Sequence, residues 1–110
     1  MQIKKVGVIG AGQMGNGIAH VLSLGGYNVI LNDIDKNILE KASNNIRNNL
    51  ERQVNSKKIS TSESNAALNL INYTVSLEEF GDVDLVIEAA TENESVKQKI
   101  FNSLLTLLNL

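Results

Sequence analysis

Residues 6–20, VGVIGAGQMGNGIAH, set five glycines in fifteen positions directly behind an apolar run. Gly10, Gly12 and Gly15 carry the spacing G-x-G-x-x-G, and Gly17 follows two residues on. Residues without a side chain at the start of a buried helix are costly unless something must come close to the backbone. Each glycine has a separate geometric task in such a turn. Gly10 permits a tight exit from a strand, Gly12 leaves the backbone open to a pyrophosphate, and Gly15 lets the following helix pack close to the strand. The amides of that helix's first turn, with about half a unit of positive charge from the helix dipole, then face an anion.

The spacing alone is a weak signal, because glycine-rich turns are common. Its context strengthens it. The segment IKKVGVIG is apolar and β-branched at Ile3, Val6, Val8 and Ile9, as a strand covered on both faces requires. From Gln13 to about Leu24 the pattern becomes helical, with Met14, Ile18, Val21 and Leu22 on one face. Gly25 and Gly26 end that helix. The next strand, YNVILND, brings Asp33 to its end, 18 residues past Gly15. An acid about 20 residues beyond the glycines is the expected partner of the adenosine ribose hydroxyls. Its charge repels a 2′-phosphate and no arginine follows it, so NAD is favoured over NADP. Asp35 competes for the same role but is better placed as the N-cap of the next helix. Asn32 and Asp33 could also serve turn geometry.

The remaining chain alternates in the same way. A long helix runs through Ile38, Ala42, Ile46, Leu50 and Val54, and NSKKIS breaks it. Ser60 and Glu63 form a capping-box pair ahead of a short helix carrying Ala66, Ala67 and Leu70. INYTV reads as a third strand. Ser76 and Glu79 repeat the capping signature on a one-turn helix that Gly81 stops. DVDLVIEAA is a fourth strand, apolar from Val83 to Ile87, and a last helix starts near Asn93 or Ser95 with Val96, Ile100, Phe101, Leu104, Leu105 and Leu108. Strands alternating with helices predict a parallel α/β sheet with helices on both faces. At 110 residues the chain has the length of about one domain. Since a doubly wound sheet usually adds strands after such a helix, the expectation is the front part of something longer.

Composition removes several function classes. A net charge of −2 gives no electrostatic reason to expect nucleic acid or an anionic membrane as partner. There is no cysteine for thiolate metal sites, and His20 is the sole histidine. It lies well past the phosphate-binding end of its helix and reads as a packing or surface residue, so no catalytic group and no metal site are expected. No apolar run approaches the roughly 20 residues of a membrane span, and no signal segment precedes the first strand, so a cytoplasmic protein is expected.

A second informative stretch, VIEAATENESVK, begins at the carboxyl end of the fourth strand, where open parallel sheets bind ligands. Glu88 either emerges into solvent there or is satisfied by backbone donors. Glu92 and Glu94 suit a helix N-terminus. Lys97 is mildly misplaced so near that terminus, which fits either a ligand contact or a solvated surface lysine. Lys57 and Lys58 either receive an anionic substrate tail or form an ordinary charged loop.

Taken together, KVGVIGAGQMGNGIAHVLSLGGYNVILNDID and DLVIEAATENESVKQKIF resemble the amino-terminal domain of the L-3-hydroxyacyl-CoA dehydrogenases, including the 3-hydroxybutyryl-CoA dehydrogenases. The first motif is shared with many NAD enzymes; the second is far more specific to this family. The resemblance implies a Rossmann-like, doubly wound NAD-binding domain over residues 1–110, cut off before the later strands and the helical carboxyl-terminal domain. It implies a pyrophosphate loop at Gly10, Ala11, Gly12, Gln13, Met14 and Gly15, a ribose acid at Asp33, Ala89 and Glu92 against the cofactor, and Lys97 near both cofactor and acyl-CoA. The family's CoA-contacting serine and lysine correspond to Asn49 and Ser56, so that contact is not carried over. The catalytic histidine–glutamate pair and the dimer-forming domain of the family lie beyond Leu110, which leaves this chain an NAD binder without a complete active site. An uncovered last helix would invite self-association. Two alternatives remain at this level: a related NAD-dependent hydroxy-acid or sugar-acid dehydrogenase, and a non-catalytic NAD-sensing module.

Overall fold

The computed structural model describes residues 2–89 and Asn102. The expected last helix, with Glu92, Glu94, Lys97 and its apolar positions, lies outside the described residues apart from Asn102, which is helical.

Four strands, β1 (Lys5–Ile9), β2 (Asn28–Asn32), β3 (Ile71–Thr74) and β4 (Leu85–Glu88), form one sheet in the order β3-β2-β1-β4. Every pairing is parallel, with Val6 opposite both Val29 and Leu85, and Val29 opposite Ile71. The chain therefore builds outward from β1 to β3, then crosses back to lay β4 on the other flank of β1. That reversal between β1 and β4 is the switch point at which open α/β sheets leave a crevice at their carboxyl ends.

One sheet face carries Val6, Val8, Val29, Leu31 and Ile87, all buried. Against it pack α1 (Gln13–Leu24) and α3 (Thr61–Asn69), and α2 (Lys36–Asn55) packs on both of these helices and joins the same core. The i+4 row read from the sequence survives at the centre of α2: Ala42, Ile46 and Leu50 are buried, whereas Ile38 and Val54 at its ends are half-buried, and Leu39 joins the core. A strict four-residue spacing overruns the 3.6-residue turn, so the row rotates off the buried face at both ends. Each fully buried Leu or Ile here stabilises the fold by roughly 1.5–3 kcal/mol. On the opposite sheet face the main cover among the described residues is a one-turn 3-10 helix (Leu77–Phe80). Its Phe80 ring sits over Gly7, where a Cβ would come within 2.6 Å of the ring.

Helix ends follow the sequence signals with three corrections. Asp35 caps α2 through the Asn37 N–H at 2.9 Å, and Ser60 with Glu63 completes the capping box of α3. At the one-turn helix, however, Ser76 accepts from Glu78 N–H, not Glu79, because the tighter turn draws the nearer amide within reach. On α3, Ser64 and Ala67 are buried, while Ala66 is exposed and Leu70 is the C-cap, since a nine-residue helix presents little more than one contact row. After α1, Gly26 alone takes positive φ (91°), while Gly25 stays helical. Tyr27 N–H then reaches Leu22 O and Gly26 N–H reaches Ser23 O, the two bonds of a Schellman motif. The same motif ends α2 with Lys57 in the left-handed position (φ 64°).

His20 is buried between α1 and α2, where its Nε2 lies 2.7 Å from Gln53 Oε1. It packs the helix pair, as its position in the sequence suggests.

Candidate functional site

The turn from β1 into α1 opens at the carboxyl edge of the sheet. Gly10 has φ 98°, in the left-handed region where a side chain is strained, and its N–H donates to Asn32 O at 2.7 Å, tying the turn to β2. At Gly15 a Cβ would overlap the Gly10 carbonyl oxygen, so helix and turn touch backbone to backbone. Gly12 is the N-cap of α1, and a Cβ there would meet nothing within 4 Å. The three glycines thus divide into a conformational requirement, a close approach and an open face, in the order the spacing predicts.

The start of α1 differs from those of the other helices among the described residues. Asp35, Ser60 and Ser76 each cap their helix with a side-chain oxygen, while α1 has no side-chain cap. Its first amides have no intrahelical acceptor and lie beside open space at Gly12. That is the local chemistry of an anion site: N–H donors and the positive dipole end, with no side-chain oxygen capping them.

Asp33 follows β2 immediately and reaches across to this turn. Its Oδ2 accepts from Ala11 N–H at 3.0 Å and its Oδ1 from Asp35 N–H at 2.9 Å. Each carboxylate oxygen keeps a second lone pair for a ligand hydroxyl. The two roles separated in the sequence analysis, turn geometry and ribose recognition, therefore do not exclude one another. The Ala11 N–H is already held, so the amides left to meet an anion begin at Gly12. Asn32 points its amide to Thr74 O and its neighbour Asp33 N–H donates to the same carbonyl, which fixes the ends of β2 and β3 together.

On the far side of β1, Ala89 N–H donates to Ile9 O at 2.8 Å, and Ala89 Cβ lies 3.6 Å from where a Cβ of Gly15 would stand. Ala89 is thereby buried against the glycine turn, at the switch point. Gln13 is exposed and Met14 half-buried on the first turn of α1. Glu92 and Lys97 lie outside the described residues.

A cleft of about 570 Å³ runs from this turn along α2. Its walls include Gly12, Gln13 and Asn16 from α1, and Lys41, Asn45 and Asn49 from α2. Lys41 and Asn45 were not singled out from the sequence, and Asn49 entered only as a position where the family's CoA contact is not carried over, although a signal was present: the three form an i, i+4, i+8 polar row beside the apolar row of Ile38, Ala42 and Ile46. Ser56 is not part of this wall; it caps α2, with its Oγ donating to Gln53 O at 3.3 Å.

Comparison with known proteins agrees with this geometry. The family model for the 3-hydroxyacyl-CoA dehydrogenase NAD binding domain matches residues 5–109. The chain belongs to that family. Its cofactor is accordingly NAD. Over 106 residues it is 50% identical to a 3-hydroxybutyryl-CoA dehydrogenase of Bradyrhizobium diazoefficiens, covering 96% of this chain and 36% of that protein. A glyoxysomal fatty acid β-oxidation multifunctional protein of Cucumis sativus is 39% identical over 103 residues, or 94% of this chain and 14% of its own length. Among solved structures, the (S)-3-hydroxybutyryl-CoA dehydrogenase PaaH1 of Ralstonia eutropha superposes with a TM-score of 0.80 at 36% identity, covering 94% of this chain and 36% of that one. The domain thus spans about a third of the length of the dehydrogenases it matches. No helix among its described residues is long and apolar enough to cross a membrane.

Proposed function

We propose that this NAD-binding domain serves an enzyme that oxidises an L-3-hydroxyacyl-CoA to the 3-oxoacyl-CoA, with residues 1–110 forming one partial domain. The observation that carries the reading is the uncapped start of α1, open at Gly12 and flanked by the Asp33 carboxylate. The residues present fit the dinucleotide: amides from Gly12 through Gly15 suit its pyrophosphate, and the spare lone pairs of Asp33 suit the two ribose hydroxyls. Gly10 and Ala11 hold the loop, and Gln13, Met14 and Ala89 border the path of the cofactor. Glu92 and Lys97 join the site on the strength of the family resemblance.

Bound NAD supplies the hydride acceptor. The chain's own part is to fix the orientation of that acceptor, which lowers a barrier by removing rotational freedom before reaction. Asp33 also sets the choice of coenzyme: a 2′-phosphate would place a second negative group against a carboxylate already engaged by two amides. Acyl-CoA as substrate of the intact protein is part of the proposal, and the cleft beside Asn49 is a place for it next to the glycine turn. The proton acceptor of the reaction is assigned to a part of the enzyme outside this chain. A cytoplasmic location, and self-association through the apolar residues of the last helix, belong to the same reading.

Titration of the chain with NADH, followed by nicotinamide fluorescence, tests it. Saturable binding that Asp33→Ala weakens and that NADPH does not match is the expected result. Equal binding of NADPH would overturn the role of Asp33. The isolated chain is expected not to reduce acetoacetyl-CoA; turnover would contradict the placement of the proton acceptor elsewhere.

A further inference from the structure

Strand β2 buries four consecutive residues, Val29, Ile30, Leu31 and Asn32, and only the last is polar. Asn32 is 3% exposed. A valine or leucine would fill that position without taking an amide out of water, so an asparagine there calls for a task that its hydrogen bonds perform. Strand alternation puts it, with Ile30, on the sheet face turned away from α1, and the register sets it between Ile9 of β1 and Thr74 of β3.

Two bonds define what Asn32 does. Its Nδ2 donates to Thr74 O at 3.1 Å, and its backbone carbonyl accepts from Gly10 N–H at 2.7 Å. A carbonyl oxygen only accepts, so the partner settles which way the Asn32 amide faces. One residue thus ties the end of β3 to the glycine turn, immediately before Asp33. Thr74 is itself held. Its Oγ1 accepts from Ser76 N–H at 3.0 Å and donates to Ser76 O at 3.3 Å. The Thr74 carbonyl is therefore a fixed point, and it takes a second bond from Asp33 N–H at 3.2 Å.

The next step rests on the NAD-binding reading. Asp33 distinguishes NAD from NADP by where its carboxylate stands. The Ala11 and Asp35 amides fix the carboxylate itself. The direction in which the chain leaves β2 is set one residue earlier. We propose that Asn32 is the positioning residue for the choice of coenzyme: its amide bond to Thr74 and its carbonyl bond to Gly10 hold the ribose acid and the pyrophosphate turn in one frame. Without the amide bond, the backbone at Asp33 is tied to β3 by its own N–H alone. The carboxylate then has room to draw back from a 2′-phosphate, and it meets the ribose hydroxyls less squarely. Losing the amide therefore weakens NADH and relieves the repulsion of NADPH, two changes of opposite sign that a general loosening of the fold does not produce.

The test is titration of the full chain and of Asn32→Leu, Thr74→Val and Ile30→Val with NADH and NADPH, read by nicotinamide fluorescence, with urea unfolding alongside. Asn32→Leu nearly keeps the side-chain volume and removes the donor. The ratio of the NADPH Kd to the NADH Kd is expected to fall by about fivefold, the factor that goes with one hydrogen bond. Thr74→Val keeps the carbonyl but frees it from Ser76, and the ratio is expected to fall less; this variant decides the matter should Asn32→Leu fail to fold. Ile30→Val is the control: Ile30 is buried on the same sheet face and makes neither bond, so stability is expected to drop with the ratio unchanged. If Asn32→Leu and Thr74→Val both keep the ratio of the unaltered chain, the assignment to Asn32 is wrong and the NAD-binding reading stands. If Ile30→Val narrows the ratio as much as Asn32→Leu does, the effect is general loosening and the assignment is wrong. An unaltered chain that binds no NADH overturns the reading and the assignment together.

Discussion

The two ends of the parallel sheet use the same device for different purposes. At the amino end, Asp84 stands just before β4 and one of its oxygens, Oδ2, accepts from Lys4 N–H at 2.9 Å and Lys5 N–H at 3.0 Å, while its own N–H donates to Lys5 O. At the carboxyl end, Asp33 stands just after β2 and accepts from Ala11 and Asp35 N–H groups, one to each oxygen. Both carboxylates staple a strand end to a neighbouring segment through backbone amides. At Asp84 the staple is the whole structure: β1 and β4 are closed together, with Lys5 Nζ also paired to Asp82 at 3.0 Å. At Asp33 the staple borders an uncapped helix and leaves lone pairs facing outward. The same bond type therefore makes stability at one end and a prepared site at the other; what separates them is whether the adjoining helix start is left unsatisfied.

Substitutions at the two ends sharpen this contrast. The largest effect is expected at Gly15→Ala, because the new Cβ would overlap the Gly10 carbonyl and backbone must move. We expect a loss of about 3 kcal/mol or more in stability, measured by urea unfolding, together with loss of NADH binding. Asp33→Ala comes next. It removes two bonds to a charged acceptor, and we expect about 2 kcal/mol of destabilisation with at least a roughly tenfold weaker Kd for NADH, a factor that corresponds to about 1.4 kcal/mol.

Asp84→Asn is expected to lower stability without changing NADH affinity, so that the two carboxylates part company in the binding assay. Its effect depends on pH. The Lys4 and Lys5 amides hold the Asp84 carboxyl below its usual value. The stabilisation is thus fully present above the unfolded value, near pH 3.9, and is lost as the pH falls through the lower folded value. Thermal melts at pH 7 are expected to separate Asp84→Asn from the unaltered chain. Melts below the folded value are expected to bring the two together. The smallest change in this series is Lys57→Gly at the end of α2, which relieves a left-handed non-glycine residue. It is expected to raise stability by about 1 kcal/mol with no effect on either end of the sheet.

Much of this architecture is legible in the residues. The glycines at 10, 12 and 15 specify their separate tasks through spacing read together with the strand before them and the helix after, and the caps at Asp35 and Ser60 are local enough to be read from three or four neighbours. The strands were readable because β-branched runs bounded by turn residues have few other fates. What escaped depends on tertiary placement. Asp84 looks like one more acid in DVDLVIEAA, and only the folding of residues 4 and 5 against it turns it into a clamp. Lys41 and Asn45 join Asn49 in a wall because α2 lies along α1; on an isolated helix they are a solvated stripe. Ile34 falls between the strand and the cap of α2, and only the fold shows that it stands in the open, 91% exposed. Ser76 was recognised as a cap with the wrong partner, since sequence spacing does not say whether one turn is α or 3-10.

Backbone amide shifts on adding NAD to the ¹⁵N-labelled chain test the central claim most directly. The account predicts that the largest changes fall on Gly12, Gln13, Met14, Gly15 and Asp33, with Lys4, Lys5 and Asp84 at the other end of the sheet unmoved. Saturable shifts centred on Lys57–Ser60, or none at the start of α1, would contradict it.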